Sequence, residues 1–193
     1  MMKKNPTIVA AALLFTSAIL TVGYLAFGLI TDLIFASGFL TGFIIWIFVK
    51  REPSFDRIKI PYWGTLILFI LHRVEEKMMN FFDKLAEITN VPTPDIISFE
   101  VIALVIVSVG AWLAIPYLVK RRYAFGYYLA WTFFSAMGIT ELAHFVFPLF
   151  TDKPYAYFPG MASVVLLAPF AWWGVYRLSK FKRTDKQLAG NNP

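Results

Sequence analysis

The chain carries apolar runs that are longer than the buried face of a soluble helix requires. Ile8 to Ile30 contains no charged residue, and about 20 such residues cross the ~30 Å hydrocarbon core of a bilayer. Asp32 interrupts the run, and Leu33 to Val49 resumes it. A tight hairpin near Thr31-Asp32 is therefore expected, with helices over 8–30 and 33–49. Four further apolar stretches follow, over 61–89, 95–119, 123–147 and 161–178. Pro61 suits the first turn of the third helix, Thr93-Pro94-Asp95 suits the N-terminal cap of the fourth, and Pro148 closes the fifth. The residues are 59% hydrophobic and 16% charged, with a mean hydropathy of +0.64. A soluble domain of this size could not hide so much apolar surface. The expected fold is all-α: a polytopic membrane helical bundle of about six transmembrane helices. It forms one domain over 1–180, followed by a polar cytoplasmic tail over 181–193.

Charge sets the expected orientation. Of the 18 Lys and Arg residues, 14 fall in alternate segments: before Thr7, between Lys50 and Ile60, at Lys120-Arg121-Arg122, and from Arg177 onward. With the N-terminus inside, this obeys the positive-inside rule and places both termini in the cytoplasm of a multi-pass cell-membrane protein. The net charge of +6 then reads as topology signal and contact with anionic lipid, not nucleic acid. Lys3 and Lys4 before the first run read as a retained signal-anchor. The absence of cysteine excludes disulfides and thiolate metal sites.

Ionisable groups at hydrocarbon depth carry the chemistry, because each is costly unless paired or hydrated. The chain has two histidines, and both lie beside glutamates. In Leu71-His72-Arg73-Val74-Glu75-Glu76, His72, Glu75 and Glu76 share one helical face. In Thr140-Glu141-Leu142-Ala143-His144, Glu141 and His144 are again neighbours on one face. A Glu-x-x-His pair on a bundle helix is the ligand spacing of di-metal carboxylate proteins, which draw further glutamates from other helices. Glu100 offers another carboxylate. Oxygen and nitrogen ligands without sulfur suit Zn, Fe or Mn. The candidate metal ligands are His72, Glu75, Glu141, His144 and Glu100, with Glu76 as general base and Glu75 its catalytic neighbour. The bland alternatives are an Arg73–Glu76 ion pair on an interfacial helix, a structural Glu141–His144 hydrogen bond, and Glu100 as a first-turn acid favoured by the helix dipole.

His72-Arg73-Val74-Glu75-Glu76 resembles the signature of the HXXEE family, small prokaryotic integral membrane proteins of uncharacterised function. The resemblance continues through His144 to Tyr157-Phe158-Pro159-Gly160 and Leu166-Leu167-Ala168-Pro169, covering roughly residues 61 to 175. The second motif of that family often begins with Asn, where this chain has Thr140 and Glu141.

The expected function is a membrane-embedded, metal-dependent enzyme acting on a lipid or isoprenoid-like substrate that enters from the bilayer. Two alternatives use the same residues: a metal-free acid–base isomerase or cyclase, and a proton or metal-ion transporter. A third is a structural protein in which the cluster only clasps helices together. Transport needs polar groups on both sides of the site, and the apolar stretch Leu66 to Phe69 supplies none on one side.

Overall fold

The computed structural model describes residues 4–93 and 98–180, and among them every regular element is helical. Asn5 opens helix α1 (Pro6–Phe48) by accepting the Thr7 amide at 2.9 Å, and Pro6 sits in the first turn, where its missing N–H is not needed. Inside α1, Gly28 adopts φ 77° and ψ 176°, a conformation essentially open only to glycine. The chain reverses there. Lys4 Nζ lies 4.4 Å from the Trp46 ring centre, so the two arms of α1 run back along each other. The reversal thus falls at Gly28, one turn before the expected Thr31-Asp32, because Thr31 and Asp32 remain helical.

Prolines shape the next elements. Helix α2 (Phe55–Met78) starts before Pro61, which lies inside it instead of in its first turn. Proline cannot bond the carbonyl four residues back, and that carbonyl, on Arg57, accepts a hydrogen bond from Arg177 Nε at 2.8 Å. The expected helix over 61–89 is two helices. Asn80, with φ 54°, takes the left-handed conformation between α2 and α3 (Phe81–Thr89), and Asn90 ends α3 the same way. Helix α4 (Phe99–Leu113) and the short α5 (Ile115–Lys120) share the expected 95–119 stretch, whose start lies outside the described residues. Pro116 breaks them apart, and the carbonyl it leaves, on Trp112, accepts from the Tyr62 hydroxyl at 3.0 Å.

Helix α6 (Ala124–Ile139) is the axis of the bundle, with every residue from Gly126 to Gly138 buried. Small residues let the second arm of α1 press against it: a Cβ on Gly42 would meet Thr132 Cα at 2.5 Å. The α-helix stops at Ile139, short of the expected Phe147, and continues as 3₁₀ turns over Thr140–Phe145 and Phe147–Phe150. Helix α7 (Met161–Ser179) closes the fold beside α2 and α6. The tail over 181–193 lies outside the described residues.

Among the described residues, three helical stretches are long and apolar enough to cross a membrane: Pro6–Phe48, Val101–Lys120 and Met161–Ser179. Large apolar side chains such as Leu14, Leu25, Phe48, Ile106 and Val165 stand on the outer surface. Basic residues gather at one end, where Arg51 donates to the Ser179 carbonyl at 2.6 Å and Lys120 lies over the Phe55 ring.

Replacing Gly28 with Ala tests the reversal. It forces a side chain into a glycine-only conformation, with its Cβ 2.9 Å from Val91, at a cost of ~1–3 kcal/mol. The thermal midpoint in detergent should fall; an unchanged midpoint would mean that the chain turns elsewhere.

Candidate metal centre

His72 and Glu76 lie one turn apart on α2 and project toward the 3₁₀ turn that follows α6. A 3₁₀ helix has three residues per turn, so Glu141 and His144 eclipse each other on one edge. The switch from α to 3₁₀ at Thr140 therefore aims both side chains at α2. All four residues are buried, and one ligand atom from each lies within 4.8 Å of the other three. His72 Nε2 is 3.4 Å from Glu76 Oε1 and 3.1 Å from Glu141 Oε2. His144 Nε2 is 3.3 Å from Glu76 Oε1 and 3.4 Å from Glu141 Oε2. The two clusters that are separate in sequence form one site.

Every one of the four is held from behind. Arg73 Nη1 forms an ion pair with Glu76 Oε2 at 2.8 Å, and Nη2 donates to Glu141 Oε1 at 2.8 Å. Each glutamate thus gives one oxygen to the guanidinium and turns the other inward. His144 Nδ1 lies 2.5 Å from the Pro159 carbonyl. A carbonyl only accepts, so this nitrogen carries the hydrogen. His72 Nδ1 lies 2.8 Å from Ser163 Oγ, whose own hydrogen goes to the Gly160 carbonyl at 3.2 Å. With the hydroxyl so committed, Nδ1 donates to it; His72 Nε2 also lies at hydrogen-bond distance from Glu141 Oε2, 3.1 Å, and a carboxylate only accepts. A neutral His144 ring thus turns an Nε2 lone pair toward the inward-facing carboxylate oxygens, and His72 meets them with a lone pair or, doubly protonated, as a donor. Four electron-rich atoms converge, and only a cation, as protons or as a metal ion, reconciles them. Outer partners that fix the tautomer of a ligating histidine are characteristic of metal sites.

The two glutamates of the first motif exchange their expected places. Glu76, expected as a free base, is in the cluster. Glu75, expected among the ligands, points to the start of α7, accepting from the amides of Ala162 at 3.1 Å and Ser163 at 2.8 Å and from the Tyr157 hydroxyl at 2.5 Å. Partial burial, then the hydrogen bond and charge of Glu75, push the Tyr157 phenol up to about 12, so it remains a donor across the neutral range. The side chain of Glu100 lies outside the described residues. The Arg73–Glu76 ion pair weighed as a bland alternative is present, but as part of the site. Sequence reasoning missed the second half of the Arg73 fork and the part played by Ser163. The available signal was that Arg73, within an apolar stretch, needed more acceptors than Glu76 alone.

Gly160 makes the closest backbone approach to the site. Its φ is 93°, and a Cβ there would stand 2.5 Å from the His144 ring and 2.8 Å from that of His72. The segment Tyr157 to Ser163 thus forms a strap over both imidazoles, tied down by Glu75. On the opposite side, Arg73, Glu76, Glu141 and His144 form one wall of a cavity of about 290 Å³. Its other walls are mainly aromatic and aliphatic, from Phe35 and Phe39 of α1, Phe82 of α3, and Leu104 and Val105 of α4.

Fold and site together define a class: an all-helical protein with membrane-length apolar helices and a buried centre of two histidines and two glutamates. Residues 63–174 match the family described as "Protein of unknown function with HXXEE motif", and the chain belongs to that family. No curated protein and no solved structure matches it.

The strap makes a prediction of its own. Hydrogen bonds to a charged carboxylate contribute roughly 1.5–3 kcal/mol each. Glu75→Ala should therefore speed amide exchange at Ala162 and Ser163 by at least about tenfold, as read by hydrogen–deuterium exchange in detergent. Unchanged protection would mean that Glu75 does not hold the strap.

Proposed function

We propose that the protein is a membrane-embedded metalloenzyme in which His72, Glu76, Glu141 and His144 bind one divalent ion beside a lipid-sized cavity. The observation that carries this reading is the spacing of the four inward atoms. Their nitrogen–oxygen separations run from 3.1 to 3.4 Å. The shortest, His72 Nε2 to Glu141 Oε2, still meets hydrogen-bond geometry, and the other three are longer than a charge-assisted hydrogen bond of about 2.7–2.9 Å. The same carboxylates reach 2.8 Å with Arg73, so looseness of the region does not explain the difference. Ligands at about 2.0–2.1 Å from one ion and at tetrahedral angles stand about 3.3–3.4 Å apart; the four nitrogen–oxygen pairs lie close to that, and all four atoms are within 4.8 Å of one another. The donor set fits Zn, Fe or Mn. Catalysis on a substrate requires the shell to open to a fifth or sixth position, and the cavity adjoins Glu76, Glu141 and His144 on that side. When bound, the ion would polarise a substrate oxygen or activate water.

The cavity supports a lipid-like substrate. Val105 both lines it and is 53% exposed, so the cavity reaches the outer surface of α4, the surface suited to lipid. In this reading the two arms of α1, α2, the α4–α5 pair, α6 with its 3₁₀ extension, and α7 make six spans, with the basic end cytoplasmic. The metal-free alternative keeps both rings protonated as a structural clasp or as an acid–base pair.

Elemental analysis of detergent-purified protein separates these. About one Zn, Fe or Mn per chain is expected in the wild type. Glu76→Gln and His144→Ala should each lower the content severalfold, while Glu75→Gln, outside the cluster, retains it. Folded wild type without metal after reconstitution would sink the metalloenzyme and leave the protonated clasp.

A further inference from the structure

Arg73 keeps donors in hand. A guanidinium has five N–H groups, and this one spends Nη1 on Glu76 and Nη2 on Glu141. Its Nε–H and a neighbouring Nη–H, which together form the side-on fork, hold no partner among the described residues. The side chain is 41% exposed, whereas its two glutamates are 4% and 8% exposed. Arg73 also lines the apolar cavity, beside Phe69, whose ring centre lies 5.1 Å from its Cζ. A guanidinium with an open fork on the wall of an apolar cavity calls for an acceptor, and the matching acceptor is an oxyanion, bound in two parallel hydrogen bonds.

We propose that Arg73 is the head-group receptor of the cavity, and that the site takes a single-chain amphiphile with a carboxylate or phosphate head. The head lies on the free fork of Arg73, next to the His/Glu centre, and the chain fills the aromatic and aliphatic walls. This deepens the metalloenzyme reading and rests on it for the charge balance. Two carboxylates, one guanidinium and one divalent ion sum to a single positive charge, which a carboxylate head neutralises and a phosphate monoester, at about −1.5 to −2, more than offsets. The cavity volume of about 290 Å³ sets the chain length. A methylene occupies about as much space as a water molecule's ~30 Å³ share of the liquid, which leaves room for roughly ten chain carbons. Two committed glutamates on one edge of the guanidinium also leave a single direction of approach, so the head would be oriented as well as held.

Binding of radiolabelled decanoate and decyl phosphate to the full chain in phosphatidylcholine nanodiscs tests this, with empty nanodiscs as background. Decanol, decyltrimethylammonium, acetate and inorganic phosphate serve as comparison probes. The anionic decyl probes should bind at least about tenfold more tightly than decanol. Arg73→Lys, which keeps the charge and loses the fork, should remove most of that preference. Val105→Trp, which narrows the cavity mouth without touching the centre, should weaken every decyl probe. Equal affinity for decanol and decanoate in the wild type would overturn the proposal. So would binding of acetate or inorganic phosphate as tight as that of their decyl counterparts, or of the decyl cation as tight as that of the anions. Unaltered decyl binding in Val105→Trp would overturn the choice of cavity. Measuring metal content on the same samples, with and without chelator, keeps the two readings apart. Metal present without head-group preference sinks this inference alone. Preference persisting in protein that never holds metal sinks the metal centre and retains the Arg73 receptor.

Discussion

The fork of Arg73 is the interaction on which the rest of the site depends. Two glutamates buried within a few ångströms of each other repel, and in a low-dielectric interior that repulsion is large. Arg73 takes one oxygen from each at 2.8 Å. It thereby neutralises part of the charge and fixes which oxygen faces inward. It also ties α2 to the 3₁₀ turn that follows α6, so the geometry of the centre and the packing of two elements are set by the same bonds. Glu75 lies about 100° around α2 from Glu76, on the side where α7 begins. Adjacent glutamates of one motif therefore serve different partners: Glu76 the centre, Glu75 the strap that covers it.

Irregular backbone recurs throughout the fold, and three of the carbonyls at or near it are taken up by side chains. Pro61 frees the Arg57 carbonyl for Arg177, and Pro116 frees the Trp112 carbonyl for Tyr62. The Pro159 carbonyl, in the strap, receives His144. An unpaired carbonyl away from water is destabilising by several kcal/mol in hydrocarbon, so each such bond stabilises a break that packing requires. The first two tie α2 to α7 and α2 to α4. The third goes further, because it decides where the hydrogen of the His144 ring sits.

Much of this was legible in the sequence. Apolar runs of membrane length led to an all-helical fold, and the rarity of ionisable groups within them led to a candidate set of His72, Glu75, Glu76, Glu100, Glu141 and His144, four of which the fold brings together. The exchange of Glu75 and Glu76 was not legible, because helical periodicity puts both on the same broad face and only the position of α7 separates them. The stop of α6 at Ile139 was equally hidden. Nothing in Ile139-Thr140-Glu141 breaks a helix by propensity, and the tighter turn is imposed by tertiary contact. Gly28 was passed over for Thr31-Asp32 because a polar pair is the louder signal, although only glycine tolerates the backbone that the reversal needs.

The surroundings of the centre bear on the choice between turnover and transport. A transporter needs access from both faces of the membrane, and the two sides of this centre differ. Toward α4 and α1 lies the cavity that reaches the surface at Val105. Toward the basic end, rings interlock: Tyr62 with Phe133 at 5.6 Å, Phe133 with Trp112 at 5.4 Å, and Trp112 with Phe69 at 6.0 Å. All four are buried, and close-packed aromatics of this kind offer an ion neither ligands nor water. Opening them would mean separating α2, α4 and α6, which the Tyr62–Trp112 hydrogen bond and the packing about α6 oppose. A centre reached from one side, through an apolar mouth, suits a molecule that arrives from the bilayer and leaves by the same route. That asymmetry, more than the identity of any single ligand, favours an enzyme over a conduit.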